Sequence, residues 1–439
     1  MSFGMTESQA RELLQRVLRF SKSDACEVNL NGNAGGNIRY ARNTVSTAGA
    51  QEDVQMVIQS NYGKRSGTVT LNEFTDEALR RGMTRSEELA RLAPEDPEFM
   101  GPMEQQRYTP STSWFQSTAG LTAEQRARAA ETSIQAAKGR DCTAAGFWQD
   151  NDSFAAMANT KGLFAWDRSS GVNFSVTVRS NDGTGSGYVT RDQNDVHRLD
   201  TDAASRIATE KAVASREARA IEPGKYTVIL EPEASVELIQ NMAFSMGARG
   251  ADEGRSFLSK PGGGTKVGEK LFDEQVTITS DPGNPDVPAT PWGGDGRALN
   301  PTTWIDKGVV KQLFYSRYWA AQKGVAAVPA PPNLIMAGGT GTLEDLIRDT
   351  RRGILVTRTW YIRTVDPQTL LYTGLTRDGT FYIENGTIKH AVKNFRFNES
   401  PIIMLNNVDA FAKPVRVRGN LIPPMRLRDF TFTSLSDAV

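Results

Sequence analysis

Hydrophobic and polar positions recur with two periods along this chain, and the places where the period changes mark its elements. Over residues 6–20, Leu13, Leu14, Val17 and Leu18 share one helical face, which predicts an amphipathic helix. Three β-like runs follow, Ala25–Leu30, Asn37–Ala48 and Asp53–Ser60, and Thr68–Leu71 continues beyond a turn at Asn61–Lys64. Thr75 caps a helix reaching about Leu92, with Leu79, Met83 and Leu89 as its apolar positions. Pro94, Pro97 and Pro102 open a loop to about Gly120, and a polar helix spans Thr122–Lys138. Beyond it, Phe147, Phe154, Trp166, Phe174 and Tyr188 fall in short extended runs separated by Asn-Asp, Lys-Gly, Ser-Gly and Asp-Gly. That is the punctuation of an antiparallel meander. A helix over Ala203–Ala218 leads to Glu222-Pro223-Gly224, the best candidate boundary between two domains, 1–221 and 222–439.

The second half turns on Tyr226–Gly254. Tyr226–Leu230 reads as a buried strand. Pro232 stands where a helix opens, since its missing N–H costs nothing at the first helical position. Leu238, Met242 and Met246, with Ile239 and Ala243, then form an apolar stripe that Gly247 and Gly250 end. The strand–helix unit over 226–247 is therefore predicted in a half that is otherwise mainly β, with one further short helix at about 342–349. Strands are expected at Val276–Thr279, Val309–Phe314, Ile354–Thr359, Thr380–Ile383, Thr387–Val392 and Val415–Arg418. The fold class that results is α+β: an N-terminal α/β domain with an antiparallel sheet, then a mainly antiparallel β domain.

The start of that helix carries the candidate chemistry. Glu233 and Glu237 are four apart and share a face. A strand feeding a helix with a Glu beside metal-ligand positions is the skeleton of a zincin-type hydrolase, in which two His hold the metal and the Glu takes a proton from water. Here the hexapeptide Pro232–Glu237 has Pro and Glu at its ends, and Pro232 has no side-chain donor atom. A carboxylate pair can act as acid and base. Two exposed carboxylates on a first helical turn more often complement the helix dipole, and that is the expectation for Glu233 and Glu237.

Composition narrows the rest. The 439 residues suffice for two or three domains, and Lys+Arg and Asp+Glu both number 51, so no net field draws the chain to nucleic acid. The longest apolar runs are too short to span a bilayer, and the N-terminal segment lacks a signal-peptide core, which makes the cytoplasm the default expectation. Cys26 and Cys142 form no framework and read as small buried residues. His197 and His390 are isolated, so this chain by itself is expected to hold no cofactor and no metal. Gly263–Glu269, GGTKVGE, misses the phosphate-cradling motif because Glu269 stands where Lys is required. Arg416, Arg418, Arg426 and Arg428 alternate on a β-like tail; they could take an anion, but a solvated or edge-protecting face is the expectation.

Four ordered blocks resemble the TldD/PmbA family: Asp53–Leu79, Arg255–Phe272, Thr342–Arg363 and Tyr372–Lys389. The resemblance implies an N-terminal α/β domain, a β-rich C-terminal domain, and dimers enclosing a chamber in which an unfolded peptide lies. It also implies, for the TldD-type member, a His-Glu-x-x-x-His zinc motif with a later Cys ligand. Carried over by position, the motif falls on Pro232–Glu237, where only Glu233 matches, and no Cys follows Cys142. The chain is thus most similar to the TldE/PmbA-type subunit. Three functional readings stand at this point. One is a non-catalytic partner of a zinc-bearing TldD-type metalloprotease subunit. The others are a metal-independent peptide hydrolase using Glu233 and Glu237, and a homodimeric peptide-binding protein.

Overall fold

The computed structural model describes residues 4–436. The N-terminal half is built on a six-stranded antiparallel sheet, in the order Arg65–Leu71, Thr44–Tyr62, Ala25–Ala41, Cys142–Asn159, Phe164–Ser180, Ser186–Gln193. Along the central strand Cys26, Val28, Leu30, Ile38 and Tyr40 are buried on one face. Helices Glu7–Leu18, Asp76–Leu92, Ala123–Lys138 and Thr201–Ala214 cover that face, giving two apolar clusters. Three of these helices open as their sequences demand: Thr6, Thr75 and Thr122 each accept a backbone N–H at the N-terminus.

Two strand assignments change. Ala25–Ala41 is one continuous strand, and the predicted run Asn37–Ala48 is folded across a hairpin at Arg42-Asn43, both in the left-handed region (φ 53° and 58°). Gly35 and Gly36 looked like a break because glycine usually punctuates. Here they lie mid-strand because nothing larger fits: a Cβ on Gly35 would come within 2.0 Å of the Asp150 carbonyl, and one on Gly36 within 2.2 Å of the Arg126 guanidinium. Likewise the meander has three long strands rather than several short ones. Asn151-Asp152 and Ser170-Gly171 are paired within the ladder, and only the Lys161-Gly162 and Asp182-Gly183 segments turn.

The C-terminal half holds a nine-stranded sheet and a smaller six-stranded one. In the large sheet Lys225–Leu230 lies between Met425–Leu435, antiparallel, and Arg352–Val356, parallel. A second parallel pairing, Ile335 with Leu421, occurs in the small sheet, whose other strand pairings among the described residues are antiparallel. The expected helix at 233–246 is Pro232–Phe244, hereafter the motif helix, and that at 342–349 is Leu343–Arg348. Three more short helices, Ala248–Asp252, Arg317–Lys323 and Pro401–Asn406, were not anticipated. None is long enough for an apolar period to show. The helix Thr201–Ala214 ends four residues early, at the Ser215 cap, and Val309–Phe314 shortens to Val309–Val310.

Leu238, Ile239 and Met242 of the motif helix are fully buried, in one core with Ile278 and Ile305 of the small sheet and Ile354 and Phe430 of the large one. Side chains of this size contribute roughly 1.5–3 kcal/mol each on burial, enough to fix where the N-terminus of this helix points.

Candidate functional site

The first turn of the motif helix faces the N-terminal half. Glu231 is its N-cap but makes no side-chain cap; its carboxylate pairs instead with Lys211 of Thr201–Ala214 at 2.7 Å. Pro232 occupies the first helical position and presents only ring carbons. Glu233 and Glu237 share a face, as their spacing required, but the pair is not simply exposed. Arg418 reaches over from the turn after Val415–Val417, where its own φ is +48°, and donates to Glu233 Oε1. The same guanidinium lies 3.8 Å from Glu237 Oε2. The Glu233 side chain is only 11% exposed, against 37% for Glu237, so the expected solvated pair is corrected to one buried and one half-buried carboxylate under an arginine. Burial pushes the Glu233 carboxyl above its ordinary range, while Arg418 and Arg358 pull it back. Its Oε2 is buried and accepts no hydrogen bond among the described residues.

A second arginine completes the cluster. Arg358 donates to Asp378 Oδ2 at 2.6 Å, and its guanidinium lies 3.7 Å from the centre of the Tyr188 ring and 4.8 Å from that of Trp360. Asp378 is buried and also accepts from Ser186 Oγ at 2.6 Å. Thr359 Oγ1 donates to the Ala234 carbonyl at 2.8 Å, fixing the strand Thr359–Asp366 against the motif helix. Burial raises the Tyr188 hydroxyl pKa. The cluster therefore joins the two halves: Ser186 and Tyr188 come from the last strand of the N-terminal sheet, and the rest from the C-terminal half.

The alternating arginines prove to be neither a solvated row nor an anion site. Arg416 donates to Asp192 Oδ2 at 2.8 Å, and Asp192 also accepts from the Gly419 N–H. Arg426 pairs with Asp409 at 2.7 Å, and Arg428 is exposed on another strand. Three of the four were misread because a turn at Arg418-Gly419, both with positive φ, separates strands that the alternation ran together. Nothing local marked Tyr188, Arg358 or Asp378, which are brought together from points far apart in sequence.

The other sequence candidates lie elsewhere. His197 sits in the exposed turn Val196–Arg198, and the His390 ring stacks on Tyr382 at 5.3 Å. Cys26 and Cys142 are free thiols buried in different clusters, and burial pushes the Cys26 thiol up to about 11. Gly263–Glu269 forms a loop in which Lys266 Nζ donates to the Phe257 carbonyl at 2.8 Å rather than facing an anion. Among the described residues, no group of three or more His, Cys, Asp or Glu is placed to hold a metal. At the motif positions themselves the donor set does not fit zinc, because Pro232 has no donor atom and both glutamates are engaged by a guanidinium.

Known proteins share this arrangement of elements. A family profile described as the PmbA/TldA metallopeptidase C-terminal domain matches residues 223–434, and the central-domain profile of the same family matches 119–216. A Methanothermobacter thermautotrophicus protein named "Metalloprotease" is 25% identical over 266 residues, covering 56% of this chain and 54% of that protein. The match thus spans about half the length of that relative. The crystal structure of TldE from Thermococcus kodakarensis superposes with a TM-score of 0.86 at 17% identity, over 97% of this chain and 100% of that one. A Thermotoga maritima structure, described as a proposed modulator of a DNA gyrase, gives 0.86 at 16% identity over 96% and 100%. At these identities the two structures show a shared fold.

Proposed function

The chain belongs to the PmbA/TldD metallopeptidase family, and from that premise we propose that it is a TldE/PmbA-type partner subunit, without a metal of its own, of a TldD-type metalloprotease. One observation carries the reading: where a family metallopeptidase needs ligands, this chain has Pro232, a Glu233 paired with Arg418, and a Glu237 at 3.8 Å from the same guanidinium. A guanidinium cannot activate water as a metal does, and it remains protonated at any physiological pH. In this role the chain supplies a wall of a chamber that binds unfolded peptide, and zinc resides in the partner. Unpaired strand edges such as Thr359–Asp366, outermost in the large sheet, suit an added peptide strand. A cytoplasmic location goes with this reading; among the described residues no helix is long and apolar enough to cross a membrane.

Co-expression with a metal-bearing homologue tests the proposal. A mixed dimer is expected on size exclusion, burying on the order of 2,000 Å² or more, with faster cleavage of an unstructured peptide than by the homologue alone. If the homologue alone cleaves as fast and no mixed dimer elutes, the partner role is wrong and a peptide-binding homodimer becomes the better account. The raised pKa and partnerless Oε2 of Glu233 favour the hydrolase reading to a limited degree. In the same assay Glu233→Gln is expected to leave cleavage nearly intact; a loss of about 10²-fold or more, the size of a missing general base, would transfer the chemistry to this chain.

A further inference from the structure

The N-terminal sheet has a second face, opposite its helices, and its composition is unusual. Solvated sheet faces in a chain with 23% charged residues ordinarily carry Lys, Arg and Glu. On this face the alternate positions 29–37, 149–155 and 167–177 of the three central strands hold one ionisable side chain, the buried Asp167, and no aliphatic residue larger than Ala; charges stand at the margins, Glu27, Arg39 and Arg179 on the same strands and Asp53 opposite Asn33 on the next. The remainder are amides, hydroxyls, glycine and one alanine, Ala155.

The registers place these groups in rows across the strands. Asn37 faces Gln149, which faces Asn173; Asn33 faces Ser153, which faces Ser169. Two links join neighbours, Ser153 Oγ to Asn33 Oδ1 at 2.8 Å and Asn151 Nδ2 to Ser153 Oγ at 2.9 Å. The side-chain amides of Asn31, Asn37, Gln55, Gln149 and Asn173 make no hydrogen bond among the described residues. A cavity of about 340 Å³ opens on the face, bounded by Asn31, Asn33, Asp53, Gln55, Ser153, Asp167 and, from the C-terminal half, Thr290. At the last strand the face runs directly into the Glu233 cluster, because Tyr188 and Asp192 stand opposite Thr177 and Asn173 and touch Arg358 and Arg416.

We infer that this face is a binding track for the main chain of an extended polypeptide segment without acidic side chains, recognised through its peptide groups rather than its side chains. The inference rests on the peptide-chamber reading and adds where the peptide lies and what is read. A primary amide offers a donor and an acceptor side by side, which matches a peptide group on both counts. Asn29, Asn31 and Asn33 repeat at every second strand position, roughly 6.8 Å, which is also the two-residue repeat of an extended peptide. With two carboxylates, Asp53 and the buried Asp167, and no cation along the central positions, the track suits neither nucleic acid nor acidic side chains. Recognition of this kind tolerates any sequence that stays unfolded and carries no acidic side chain.

The test is fluorescence anisotropy of the full chain with a labelled peptide of Gly, Ser, Ala and Thr, its shuffled copy, and a copy N-methylated at alternate amides. The first two are expected to bind alike. The N-methylated copy should bind at least about tenfold more weakly, as should the parent peptide to the exposed-face variant Asn37→Ala/Gln149→Ala/Asn173→Ala. Unchanged affinity in either comparison, or no binding of the parent peptide, overturns the track. Melting of the triple variant checks its fold, and Asn37→Asp/Asn173→Asp, which keeps shape and removes donors, gives the same comparison by a second route. Mixed-dimer formation is followed on the same samples. If the dimer forms but peptide affinity ignores these changes, the track alone fails; if no dimer forms, the partner role fails and the anisotropy still judges the track.

Discussion

At the scale of single residues, the cluster is governed by which charges are buried. Arg418→Ala would leave Glu233 buried without its principal counter-charge. Breaking a fully buried pair costs about 3–5 kcal/mol, but Arg418 is 39% exposed, so solvent screening reduces the expected loss to about 1–2 kcal/mol. The Glu233 carboxyl is raised in the folded state, so a protonated Glu233 favours folding at low pH and that contribution is lost as pH rises through the raised value. The Arg418→Ala loss should accordingly be small in acid and full at neutral pH, and Glu233→Gln/Arg418→Ala should recover most of it. Denaturant titrations across pH measure the cycle; a pH-independent loss would mean Arg418 acts through packing. Asp167 gives a cleaner case, since burial raises its carboxyl to about 6 from 3.8. Its stabilising contribution is present below about pH 4 and gone above about pH 6. Asp167→Asn should flatten the stability profile over that window and gain on the order of 2 kcal/mol at pH 7, read from thermal melts.

At the scale of elements, close approach rather than propensity sets the N-terminal half. Strand Ser186–Gln193 packs on Thr201–Ala214 through small residues on both sides. A Cβ on Gly187 would come within 2.2 Å of the Ala208 carbonyl and 2.6 Å of the Ala212 N–H. Gly187→Ala should therefore push the helix off the sheet and cost about 1–3 kcal/mol, with a matching fall in melting temperature. An unchanged melting temperature would show that this contact yields freely. The helices with capping residues and an apolar stripe were legible in the sequence: Thr75 and Thr122 stand where they were expected, and the motif helix begins at Pro232. Strand ends were less legible, because Gly35, Gly36 and Ser170-Gly171 carry the local signature of turns and are glycine or serine for steric reasons that only the neighbouring strand supplies.

For the whole molecule, the prediction concerns metal. Purified alone and dialysed, the chain is expected to carry well under one zinc by elemental analysis, because Pro232 donates nothing and Arg418 holds both glutamates. Near-stoichiometric zinc that Glu233→Gln abolishes would sink the partner reading. The two halves are tied by ionic contacts, among them Lys211–Glu231 and Arg416–Asp192 at 2.7 and 2.8 Å, and by a small apolar cluster in which Trp292 packs on Met157, Leu163 and Tyr108, while their main cores are separate.

The sequence by itself determined the α+β class, the strand–helix unit, the family resemblance and the loss of ligand chemistry at Pro232 and Glu237. Each depends on period, capping or residue identity, which are local properties. Only the tertiary structure decided that Glu233 is buried, that Arg418 rather than water neutralises it, and that Tyr188, Arg358 and Asp378 stand beside it. Burial and pairing depend on which distant segments meet, and a glutamate at the first turn of a helix has the same sequence signature in solvent as under a guanidinium.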